Sequence, residues 1–129
     1  MRKYIKTFII ATLYFVTTVA FARNICTGTF SNLSYNSNAG DIIGTEIRVV
    51  LTNVGYKAVV QISEGGPGPL LIVDVQCDGK KISFNILEPK QSQSERFVGL
   101  ITKKGLSGQF FYLNGSEKII LRRTKSYWD

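Results

Sequence analysis

The chain has no histidine, and only two cysteines, one tryptophan and three prolines among 129 residues. Without histidine there is no Ser-His or Cys-His pair, so acid–base work would fall to carboxylates, lysine or tyrosine. A metal site would lack its commonest ligand. Acids are scarce too, nine against sixteen basic residues. Most of them sit in turns or on outward strand positions, where a solvated surface explains them. A paired-carboxylate glycosidase would also need a larger cleft than so short a chain offers. We therefore expect no enzyme, no cofactor and no metal.

Only one uncharged apolar run is long, residues 7–20, and it follows a basic start, Met1-Arg2-Lys3-Tyr4-Ile5-Lys6. The run ends in Ala20-Phe21-Ala22, an A-x-A exit. Basic start, apolar middle and small-residue exit describe a secretory signal peptide over residues 1–22. A membrane anchor is the rival, but a spanning helix needs about 20 apolar residues. Cleavage leaves 23–129 as a single domain, periplasmic or secreted, with no transmembrane segment. Losing Arg2, Lys3 and Lys6 lowers the formal charge from +7 to +4.

Cys26 and Cys77 both fall after the signal, and two cysteines allow one pairing. Export to an oxidising compartment favours a Cys26–Cys77 disulfide over a metal pair or a reactive thiol.

What the chain does contain is alternation. Residues 44–52 and 56–64 alternate apolar and polar side chains, as half-buried strands do. Thr45, Ile47, Val49 and Leu51 share one face of the first run, and Tyr56, Ala58, Val60 and Ile62 turn inward on the second. Further strands read at 25–30, 70–76, 81–86, 97–101, 106–110 and 118–122, with loops at 32–40 and 88–95. Asp78-Gly79 and Asn114-Gly115 carry the hairpin signal. Folding 97–101 onto 106–110 sets Ile101 against Leu106, Gly99 against Gly108 and Phe97 against Phe110. The paired glycines mark a sharp bend or a large group lying on the backbone. Eight strands on short links are antiparallel neighbours. Closure removes their exposed edges, so we expect an all-β, up-and-down barrel rather than a two-sheet sandwich.

Gly28-Thr29-Phe30 on the first strand and Leu121-Arg122-Arg123 on the last resemble the calycin pattern. There a Gly-x-aromatic motif opens strand one, and a basic side chain from the final strand covers the aromatic. The apolar-x-Gly-x-apolar units at 97–101 and 106–110 are similar to those of small bacterial lipocalin-like domains. Phe30 stands where the family usually has Trp. The resemblance implies a closed barrel whose mouth holds a small apolar ligand.

Candidate ligand-binding residues are the interior Tyr56, Phe84, Phe97, Gly99, Gly108, Phe110 and Tyr112. If those rings instead fill the barrel, a carrier role weakens. The alternative is a protein-binding role, inhibitor or immunity-type, through the rigid loop Gly65-Gly66-Pro67-Gly68-Pro69. Asp74, inside an apolar run, is expected to point outward; turned inward it would need a partner such as Arg48 or Lys57. Lys118, Arg122, Arg123 and Lys125 crowd the C-terminus, but in an exported chain of modest charge they do not make a nucleic-acid site. Trp128 is expected to fold back on the barrel rather than serve a partner. The outward apolar Val50, Val59, Phe111 and Ile120 form either a surface patch or the floor of a second layer.

Overall fold

Alternating side chains give strands throughout the computed structural model, which describes residues 25–87 and 95–129. The expected signal peptide, residues 1–22, and all but the last residue of the expected 88–95 loop lie outside the described residues. The strands are β1 (Gly28–Ser31), β2 (Ser34–Asn36), β3 (Asp41–Thr52), β4 (Gly55–Gly65), β5 (Leu70–Asp78), β6 (Lys81–Ile86), β7 (Glu95–Ile101), β8 (Gly105–Tyr112) and β9 (Gly115–Arg123). The described residues contain no helix.

From β3 to β9 each strand pairs antiparallel with the next, and β1 joins β9 to β3. Eight strands thus close into the expected up-and-down barrel. The ninth, β2, falls within the expected 32–40 loop. It continues along the edge of β3, where β1 takes residues 46–49 and β2 takes 41–43. Its three residues are exposed, so no alternation marks it, and its strand character comes from pairing.

The inward faces of all eight barrel strands supply one core. The 97–101/106–110 hairpin has the expected register: Phe97 faces Phe110, Gly99 faces Gly108 and Ile101 faces Leu106. The last turn falls one residue earlier than the Asn114-Gly115 signal. Tyr112 pairs with Gly115, so Leu113-Asn114 makes the reversal. Burying Ile119 and Leu121 fixes that register, because a one-residue slip would turn the whole inward face of β9 outward. Likewise Asp78 pairs with Lys81, and Gly79-Lys80 is the turn, with Gly79 at φ +60°. A first central glycine at positive φ suits a tight hairpin.

Leu51, read as inward, is 59% exposed because the β3–β4 tip runs past the end of the barrel. Conversely Glu46, Gln61 and Ser63, on outward positions, are buried. Two segments cover them. The C-terminal tail lies over β3 and β4, with Ser126 Oγ and the Tyr127 amide donating to the Glu46 carboxylate and the Trp128 indole N–H donating to Gln61 Oε1 at 2.7 Å. The 65–69 loop covers Ser63, whose Oγ accepts from the Gly68 amide, while Gln61 Nε2 donates to the Gly68 carbonyl. Trp128 does fold back, yet Val50, Phe111 and Ile120 stay exposed. The second layer is therefore local and polar.

Candidate functional site

The barrel interior is packed in its middle. Phe97 lies between Phe84 and Phe110, each ring centroid 4.8 Å away, and all three are buried. The glycine pair makes room both for this stack and for the neighbouring strand's backbone, since Ser107 O would stand 2.9 Å from a Cβ on Gly99 and Val98 O 2.7 Å from one on Gly108. A Cβ on Gly99 would sit 2.9 Å from Phe97 Cε1, and one on Gly108 would sit 2.7 Å from Phe97 Cε2. A large group does lie on the backbone there, and it is the protein's own ring. Tyr56 packs against the core near the β3–β4 turn, whereas Tyr112 lies near the β8–β9 turn at the other end. The expected interior site is thus divided: Phe84, Phe97, Gly99, Gly108 and Phe110 are filled with each other, and the two tyrosines sit at opposite ends.

The end bearing Tyr56 is closed by β1 and its neighbours. Arg123 lies over the Phe30 ring, 4.7 Å from its centroid, and donates to the carbonyls of Ile25, Thr27 and Thr102. The basic cover on the first-strand aromatic therefore has the geometry that the calycin resemblance implies. Just before β1, Cys26 is disulfide-bonded to Cys77 on β5.

The opposite end is hollow among the described residues. A cavity of about 520 Å³ lies there, with Phe110, Ile119, Ile86, Leu71 and Ile62 among its apolar walls. That volume is within the range of small-molecule sites. Its polar wall holds Glu64, Glu95, Glu117 and Tyr112, and none of the described residues lining it is basic. These acids are a correction to the sequence reading, which spread the carboxylates over turns and outward positions. Each continues an inward register instead: Glu64 follows Ile62 on β4, Glu95 precedes Phe97 on β7, and Glu117 precedes Ile119 on β9. Extending the period-two pattern one step past each apolar run would have found them.

Tyr112 reports the field these groups make. Its hydroxyl donates to Glu117 Oε2 at 3.2 Å. Burial, then the charges of Glu117, Glu95 and Glu64, push its phenol up to about 12. It keeps its proton at neutral pH, so it is a hydrogen-bonding group rather than a base. Asn32 fixes the adjoining lip, its Oδ1 accepting from the Thr45 amide at 2.7 Å.

The remaining candidates lie elsewhere. Asp74 points outward, as expected, and pairs with Lys57 across the β4–β5 ladder. The loop Gly65-Gly66-Pro67-Gly68-Pro69 exposes Gly66, Pro67 and Pro69, but Gly68 is pinned to β4, and Pro69 forms part of the mouth. Among the described residues no group of His, Cys, Asp or Glu is arranged to hold a metal ion. Comparison of the chain with family models, with curated proteins and with solved structures finds no match in any of the three.

Proposed function

We propose that this is an exported, non-enzymatic binding protein that holds a small molecule in the mouth of its barrel. The observation that carries the reading is the contrast between the two halves of the interior. A stacked aromatic plug fills the middle, and above it, among the described residues, a cavity of about 520 Å³ combines an apolar floor with a few polar groups on one wall. Ligand sites have this make-up. The site differs from the one the sequence implied, since Phe84 and Phe97 support the floor rather than touch the ligand. The disulfide favours an oxidising compartment and agrees with the export signal. A protein-binding role has less support, because the 65–69 loop is held down at Gly68.

Native mass spectrometry of the protein recovered from its own periplasm or secretion medium tests both halves of the reading. The expected result is a mass beginning at Arg23, with a retained small molecule. A co-purifying protein in place of that adduct would favour the inhibitor alternative. A chain retaining residues 1–22 would overturn cleavage after Ala22, and a chain recovered only from the cytoplasm would overturn export.

A further inference from the structure

Most of β9 has a strand on one side only. β1 pairs with it at Phe30–Arg123 and Ser31–Arg122, whereas β9 begins at Gly115. The cause lies in β1. Amides alternate sides along a strand, so after Ser31 the next one to face β9 is that of Leu33. It donates to Ser31 Oγ instead, at 3.2 Å. The Asn32 amide stays with β3, donating to the Thr45 carbonyl, and the chain follows β3 onward as β2. β9 therefore has no neighbour on that side from Leu121 back to Gly115.

The same alternation says which groups are left over. The Arg123 amide donates to the Lys104 carbonyl on the β8 side, and the Thr124 amide donates to the Thr29 carbonyl on the β1 side. Counting back, Leu121, Ile119 and Glu117 bond β8, and the backbone groups of Ile120, Lys118 and Ser116 point to the open side. Among the described residues no strand pairs with them. Residues 88–94 join β6 to β7, so β7 and β8 separate that connection from this edge. The side chains beside the edge are basic and apolar. Lys118 and Arg122 are exposed on the outer face, Ile120 between them is 77% exposed, and Lys125 is exposed just beyond. None of the three cations has an ion pair among the described residues. Arg122 and Lys125 share a notch of about 300 Å³ with Leu33 and Tyr127, where the edge meets β1. On the inner face the neighbouring side chains are Ile119 and Leu121.

We propose that the open edge of β9 takes an extended segment of another protein as an added strand, one that alternates acidic residues on its outer face with apolar residues on its inner face. An unpaired strand edge is a template for such pairing, and main-chain bonds to Lys118 and Ile120 supply the attachment. Residues directly opposite in a ladder share a face, so the acidic side chains lie against Lys118 and Arg122 and the apolar ones against Ile119. Charge selects the occupant. A second copy of this chain would bring Lys118, Arg122 and Lys125 against the same three cations, which disfavours edge-to-edge dimers. The surface is separate from the 65–69 loop, and the proposal is independent of the small-molecule reading.

The test uses the disulfide-bonded protein and a capped heptapeptide, Glu-Val-Glu-Val-Glu-Val-Glu, followed by fluorescence anisotropy and amide hydrogen exchange. In the free protein the Lys118 and Ile120 amides should exchange about tenfold faster than those of Ile119 and Leu121, which bond β8, and saturating peptide should remove the difference. Lysine in place of the peptide's glutamates should weaken binding roughly tenfold, the worth of two partly exposed ion pairs, and Lys118→Glu/Lys125→Glu should reverse that preference. Ile120→Pro should abolish binding yet unfold like the parent, because the amide it removes makes no bond to β8 and an edge strand tolerates proline there. N-methylation of the peptide's glutamates, whose amides face β9, should abolish binding, and N-methylation of its valines should not. Slow exchange of Lys118 and Ile120 in the free protein, or a dimer at these concentrations, means that the edge is already occupied and overturns the proposal. Binding that survives N-methylated glutamates overturns strand addition, and equal binding of the lysine peptide overturns the selection by charge. No binding of the glutamate peptide overturns the whole.

Discussion

Gly108 has no side chain because Phe97 and the Val98 carbonyl occupy the space one would need, with Phe97 Cε2 and Val98 O each 2.7 Å from where a Cβ would stand. The ring cannot yield easily, being buried between Phe84 and Phe110. Gly108→Ala should therefore destabilise the protein by about 1–3 kcal/mol, the usual cost of overpacking a filled core, measured by urea unfolding. Gly66→Ala is the control. Nothing lies within 4 Å of its Cβ position, and its φ is not in the left-handed range, so it should stay within about 0.5 kcal/mol of the parent. Phe97→Leu combined with Gly108→Ala should cost less than the two single changes added together, because each residue sets the room for the other. Strict additivity would show that the ring is not the obstacle. The symmetry of this hairpin could be read from the sequence, and so could the presence of something large at the glycines. Which group it was could not, since period two fixes a side chain's face but not where its ring lies along the strand.

At the scale of the element, the failures share one cause: contacts between segments distant in sequence. Nothing local marks β2 as a strand, nor Gln61 and Ser63 as buried. The tail and the 65–69 loop bury them from outside. The mouth acids are a different case. Glu64 stands at the next inward step after Ile62, a position legible in the alternation, although a carboxylate at a strand end ordinarily lies in solvent. The tail gives its own test. Trp128 is the chain's one tryptophan, half exposed, and its indole donates to Gln61 while the neighbouring tail residues bond Glu46. Intrinsic emission therefore reports docking of the tail directly. In Gln61→Ala the emission should shift to the red, and acrylamide should quench it more readily. Glu46→Gln should give a smaller shift, since an amide oxygen still accepts one bond. Emission unchanged in Gln61→Ala would mean that the strap is held by Arg48 and Asp129 instead, which pair at 3.2 Å.

The whole molecule is a ribbon whose closure depends on its shortest barrel strand. β1 has four residues; it pairs over all of them with β3 but over only Phe30 and Ser31 with β9. Two such pairs are a thin seam for a barrel, and the chain reinforces it twice next to β1. Arg123 on β9 binds the carbonyls of Ile25 and Thr27, and Cys26 is bonded to Cys77 across 51 residues of sequence. Closing a loop of that length is worth about 4 kcal/mol in the chain-entropy account, and measured values commonly lie at about 2–4 kcal/mol. Cys26→Ser/Cys77→Ser should accordingly lower the unfolding free energy by about 2–4 kcal/mol. The loss should not be spread evenly over the structure. Amides of β1 and of the β9 residues facing it should lose hydrogen-exchange protection first, while the long β3–β4 ladder keeps its own. Arg123→Gln should open the same amides with the disulfide intact. If removing the disulfide speeds exchange equally in every strand, the crosslink acts on the unfolded chain alone, and the seam between β1 and β9 holds without it.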